Sequence, residues 1–197
     1  MLILIKGEIM KKTYKLILML MLAATLLLSG CGSEDTDASG AGAGSSNGAE
    51  TSENASPVEF TAADIDGNTV TSDIFSKSKL TMVNVWATYC NPCISEMPAL
   101  AEIAEAYDAS EFQIVGVISD VMEGDDVSGA EKLISQTKAD YLHLVINESL
   151  YNSMLTGVSA VPTTIFVDSE GKTVNVVVGA KGKEDWENLI NEMLKEV

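Results

Sequence analysis

The chain reads as an α/β domain with a central mixed sheet and helices on both faces. Two continuous apolar runs, Leu80 to Trp86 and Phe112 to Ile118, have the composition of strands buried on both sides. Segments of helical periodicity alternate with strand patterns, and the order closes strand, strand, helix, which calls for a hairpin and a final helix packed on the same sheet.

The first part of the chain is set apart by composition. Lys11-Lys12-Thr13-Tyr14-Lys15, the apolar run Leu16 to Leu28 and the small residues before Cys31 have the layout of a signal peptide over 1–30. The run falls short of the ~20 residues a transmembrane helix needs. Residues 1–9 sit oddly ahead of such a leader, and codons for Lys6-Gly7-Glu8 can spell a purine-rich ribosome-binding site, so translation is expected to start at Met10. N-terminal sequencing of an uncleaved precursor that found residues 1–9 would refute this. From Cys31 to Ser56 the chain holds no large apolar side chain and should form a disordered tether, with a span of roughly 25–30 Å.

A folded domain is expected over 57–197. Phe60–Ile65 and Thr69–Thr71 flank Asp66-Gly67-Asn68 and read as an N-terminal hairpin. Residues 91–108 and about 129–138 read as helices, Tyr141–Ile146 as a strand and Glu148–Leu155 as a short helix. Thr163–Val167 and Thr173–Val178 should pair around Asp168-Ser169-Glu170-Gly171-Lys172, with Lys183–Val197 as the closing amphipathic helix. The acidic stretch Asp120–Asp126 lacks the spacing of a calcium loop and reads as a solvated loop.

Charge excludes some partners. The chain has a formal charge of −17, and removing 1–30 leaves 8 Lys against 28 Asp and Glu. Such a surface repels nucleic acid and anionic lipid head groups. All 12 basic residues are Lys.

Chemistry concentrates in Trp86-Ala87-Thr88-Tyr89-Cys90-Asn91-Pro92-Cys93, between a strand and a helix. With Cys90 at the helix start, the dipole and free N–H groups favour its thiolate. Its sulfur should be exposed and act as the nucleophile, while Cys93, further in, resolves the mixed disulfide. Asn91-Pro92 places no cation beside Cys90, which predicts a reductant or mild exchanger rather than a strong oxidant. A zinc reading is unsupported, since no further Cys follows and the only His is His143, which reads as structural. Glu96 falls on the apolar face shared by Cys93, Leu100 and Ile103, where desolvation should raise its pKa one turn from Cys93. Pro98 should kink the helix.

These residues carry a resemblance. The Cys90–Cys93 motif followed by Glu96 and Pro98, with the later Val161-Pro162-Thr163, resembles the thioredoxin-fold thiol-disulfide oxidoreductases of the TlpA/ResA-like family, over about residues 57–197. The resemblance implies a thioredoxin-like fold, a redox-active Cys90/Cys93 disulfide without other cofactor, and a proton-carrying role for Glu96. It also implies a cis peptide at Pro162, facing the disulfide, where the backbone of Val161 would pair with an extended substrate. Asn84 stands where thioredoxins carry a buried Asp, so proton handling would shift to Glu96. Trp86, Tyr89, Asn91 and Pro92 would complete the docking surface.

Leu28-Ser29-Gly30-Cys31 likewise resembles a lipoprotein lipobox, which implies a lipid on Cys31 and a place on the extracytoplasmic face of the cell membrane. Expected partners are disulfide-bearing envelope proteins, such as apocytochrome c, sporulation proteins or a methionine sulfoxide reductase, and a membrane thiol transporter of the CcdA/DsbD kind as electron donor. The protein itself should be a monomer. Two alternatives compete. A peroxiredoxin-like thiol peroxidase of the AhpC/TSA type would place a Thr where Ala87 stands and an Arg that this chain cannot supply. A copper-delivering lipoprotein of this fold would space its cysteines by three residues, and a solute-binding one would need more chain than these ~141 folded residues.

Overall fold

Residues 56–197 are described in the computed structural model; the expected signal peptide, Cys31 and all but the last residue of the expected tether lie outside them. In chain order the elements are β1 (Thr61–Ala63), β2 (Thr69–Thr71), a 3-10 turn (Ser72–Lys77), β3 (Leu80–Trp86), α1 (Asn91–Ala106), β4 (Phe112–Met122), α2 (Ser128–Thr137) and β5 (Leu142–Ile146). There follow a short helix α3 (Glu148–Leu150) continued by a π turn (Tyr151–Leu155), β6 (Thr163–Asp168), β7 (Thr173–Val178) and α4 (Lys183–Met193).

The apolar run of β3 takes the middle of a five-stranded sheet of order β5-β4-β3-β6-β7, and every one of its residues is buried. It runs parallel to β4, from Leu80 opposite Phe112 to Trp86 opposite Ile118, and antiparallel to β6. Strand alternation divides the core. Val83 and Val85 face a cluster with Phe60, Phe75, Leu150 and Leu155, under the hairpin, the 3-10 turn and α3. Leu80 and Met82 face Leu100, Ile103, Trp186 and Ile190, under α1 and α4. The sheet is thus mixed and covered on both faces, a thioredoxin-like arrangement with an N-terminal hairpin.

That hairpin forms because Gly67 accepts a φ of +83° and the Asp64 carboxylate receives the backbone N–H groups of Asp66 and Asn68. The chain departs from its pattern in four places. β4 runs on to Met122, so Asp120 and Val121 belong to a strand and not to the acidic loop; a register shift after Ile118 lets Met122 pair with Ile146. α1 stops at Ala106 and α4 at Met193, short of the ends their periodicity suggests. The 3-10 turn at Ser72–Lys77 is too short to leave a periodic signature, although it buries Ile74 and Phe75. α1 continues through Pro98.

Candidate active site

The strand-to-helix joint after β3 creates the site. Cys90 is the N-cap of α1, and its sulfur accepts the backbone N–H of Cys93 at 3.2 Å. Pro92 sits in the first turn, where its missing N–H leaves no gap in the helix ladder. Cys90 and Cys93 form a disulfide, with Cα atoms 5.3 Å apart. Cys93 is fully buried, whereas Cys90 keeps 6% exposure. The expectation of an openly exposed Cys90 sulfur is therefore corrected: it packs in a cluster with Ala87, Met97 and Trp86, and only a narrow window remains. Tyr89, Asn91 and Pro92 supply the exposed rim around it, Tyr89 at 73%.

The fold brings a distant segment to this rim. Val161–Pro162 is a cis peptide, and Val161 packs against the cluster that holds Cys90 and Cys93. The segment is fixed on both sides, as the Pro162 carbonyl accepts from Gly179 N–H at 2.8 Å and the Thr163 hydroxyl donates to Ala160 O at 2.7 Å. A shallow groove of ~270 Å³ runs beside it, lined by Tyr89, Tyr151, Val158 and Val161 among others.

Glu96 does not reach out to water. It is 4% exposed, and burial raises its pKa above the usual glutamate value, although three hydrogen bonds pull the other way. Oε1 accepts from Asn84 Nδ2 at 3.1 Å, while Oε2 accepts from Lys181 N–H at 3.2 Å and Trp186 Nε1 at 3.3 Å. Asn84, also wholly buried, places its second amide hydrogen toward Thr164 Oγ1 at 3.3 Å. The apolar helical face thus holds one acid, and the residue opposite it on β3 is an amide, not a second acid.

Trp86 needs a correction. Its position beside the motif suggested a docking residue, but it is 0% exposed and cannot touch a bound chain. Its indole donates to His143 Nδ1 at 3.2 Å, which leaves His143 Nε2–H to donate to Ala139 O at 2.9 Å. Burial holds His143 down to a pKa of about 4, so the ring is neutral and structural. The pair braces the wall behind the disulfide.

Asp120 escaped the sequence reading. Its carboxylate receives both the N–H and the hydroxyl of Thr88, fixing the loop two residues before Cys90. The signal was present in the register: Trp86 pairs with Ile118, so two residues further on Thr88 must come beside Asp120.

Residues 54–176 match the AhpC/TSA family. The thiol-disulfide oxidoreductase ResA of Bacillus anthracis is 25% identical over 135 residues, covering 68% of this chain and 74% of that protein. A putative thiol:disulfide interchange protein DsbE from Chlorobium tepidum matches with a TM-score of 0.58 at 26% identity, over 69% of this chain and 93% of that one. The pneumococcal exposed lipoprotein thioredoxin from Streptococcus pneumoniae strain TIGR4 matches with a TM-score of 0.52 at 27% identity, over 68% of this chain and 98% of that one. With a family match over more than half its length and a disulfide at the head of α1, the chain belongs to the AhpC/TSA family, as a thiol-disulfide oxidoreductase of thioredoxin-like fold.

Proposed function

We propose that the protein reduces disulfides in other proteins of the cell envelope, held to the extracytoplasmic face of the membrane by a lipid on Cys31. The observation that carries this reading is the placement of the Cys90–Cys93 disulfide at a helix N-terminus, with Val161 of the cis Val161–Pro162 peptide packed against the cluster that holds both cysteines. In the reduced protein, the Cys90 thiolate attacks one sulfur of a substrate disulfide, and the other substrate cysteine leaves as a thiolate. Cys93 then loses its proton to Glu96 and attacks the Cys90 sulfur. The internal disulfide forms, the second substrate thiolate departs, and two electrons have passed to the substrate. The substrate lies as an extended segment against the Val161 backbone, over the rim of Tyr89, Asn91 and Pro92. No cofactor beyond the cysteine pair takes part.

Anchoring rests on Leu28-Ser29-Gly30-Cys31, and the solved relative from Streptococcus pneumoniae is itself called a lipoprotein. No helix among the described residues is long and apolar enough to cross a membrane. Electrons for the next cycle come from a membrane thiol transporter of the CcdA/DsbD kind, and the substrates are those of cytochrome c maturation or methionine sulfoxide repair. The monomer suffices for all of this.

Trapping tests the proposal. Cys93→Ser should leave Cys90 covalently linked to its substrates in cells, releasable by a reductant; recovery of no mixed disulfide would contradict it. The family match favours a second reading, a thiol peroxidase. Consumption of hydrogen peroxide with turnover, dependent on Cys90, would establish it, but Ala87 and the lack of any Arg argue against that outcome.

A further inference from the structure

Glu96 is gripped by groups from several elements, and every one that touches its oxygens donates. Two of the three, the Lys181 backbone N–H and the Trp186 indole N–H, have no acceptor capacity at all. The third, Asn84, already gives both amide hydrogens away, to Glu96 and Thr164, and its Oδ1 is buried without a partner. Other ionisable groups face the carboxyl from each side. The Tyr141 hydroxyl, just ahead of β5, is buried, and the Glu96 charge opposes its ionisation. The Lys181 ammonium lies 5.9 Å from the Trp186 ring, and Asp185 lines the open cleft that reaches Glu96 between α1 and α4. Cys93 precedes Glu96 by one turn of α1. Trp186 is 0% exposed and packs against Phe166, so its indole is fixed in direction.

We propose that Trp186 is a positioning residue for the exchange reaction: its indole N–H, backed by the Lys181 N–H, clamps the Glu96 carboxylate in its charged form, one turn from Cys93. The proposal rests on the reading of Glu96 as the carrier of the Cys93 proton. In the resolving step the Cys93 S–H bond breaks and its proton passes to Glu96. The Cys93 thiolate then forms a bond to the Cys90 sulfur, and the Cys90–substrate bond breaks with its electron pair leaving on the substrate thiolate. The Lys181 and Trp186 donors favour the empty carboxylate and can accept nothing from the protonated one. The clamp thus offsets part of the burial that raises the Glu96 pKa, so that the acid can take the proton and return it to water through the cleft beside Pro92, Ser95 and Asp185.

The two tryptophans make the test direct. Trp86 reports on His143 and Trp186 on Glu96, so the two indole N–H signals in a nitrogen–proton correlation spectrum follow different acids. The Trp186 signal is expected to titrate in the folded protein, and that titration should vanish in Glu96→Gln. Trp186→Phe should move the Glu96 limb of the exchange pH profile upward by about one pH unit, the direction set by losing a donor to the charged form. A Trp186 signal that does not titrate in the parent protein would overturn the proposal without any variant having to fold, and one whose titration persists in Glu96→Gln would overturn it as well. A profile altered by Glu96→Gln but unmoved by Trp186→Phe would overturn the clamp and leave the proton-carrier reading standing. A profile unaffected by Glu96→Gln would remove the proton-carrier reading itself, and the proposal with it.

Discussion

His143 and Glu96 are buried acids of opposite consequence. The Trp86 indole donates to His143 Nδ1, so a proton arriving there meets a donor instead of an acceptor. With its pKa lowered to about 4 from an unfolded value near 6.5, His143 contributes stability that is complete above the unfolded value and is lost as pH falls through the folded one. The expected loss between these two values is about 3 kcal/mol, and His143→Gln should abolish that part of the acid sensitivity in urea titrations. Glu96 runs the other way. Its pKa is raised by burial, so its contribution is complete below the ordinary glutamate range and is lost as pH rises through the raised value. Glu96→Gln should therefore gain stability relative to the parent as pH rises above the ordinary glutamate range, measured by the same titrations. A gap between the two proteins that stayed constant with pH would show that the carboxyl pays no burial penalty.

At the scale of elements, α1 and β4 do the positioning. α1 and its N-cap supply both cysteines, the N-terminal field and the buried acid from about two turns of sequence, and all of that was legible because helical periodicity is local. Cys93, Glu96, Leu100 and Ile103 share a face by spacing alone. β4 was read less completely. Ser119 and Asp120 interrupt its apolar run, and the pairing of Met122 with Ile146 and the clasp of Asp120 on Thr88 carry the strand past them. Such cross-chain partners leave no periodic trace, and the same holds for Trp186. As part of the stripe Trp186, Ile190 and Met193 it reads as core, and nothing local aims its indole at Glu96. Gly116 on β4 is another case. A Cβ there would stand 2.1 Å from His143 Nδ1, within a sheet that cannot open. Gly116→Ala should cost about 1–3 kcal/mol by overpacking, read as a lowered denaturation midpoint. An unchanged midpoint would mean that the Trp86–His143 wall yields freely.

For the molecule as a whole, the surface charge should bias the choice of partner. Residues 57–197 hold 8 Lys against 23 Asp and Glu, a formal −15. Basic disulfide proteins should be reduced faster than acidic ones of equal accessibility, and the difference should collapse as ionic strength shortens the screening length below ~10 Å. Equal rates at low salt would mean that docking is decided by the groove near Tyr89 and Val161 alone. The central claim, however, is that Cys90 and Cys93 form a reversible and reducing couple. Its sharpest test is to equilibrate the protein in a series of defined thiol–disulfide buffers and count the oxidised fraction. Full, reversible cycling with a potential on the reducing side of the scale is the expected result; a pair that does not cycle, or one that titrates near ~−120 mV at the strong-oxidant end, would contradict that claim.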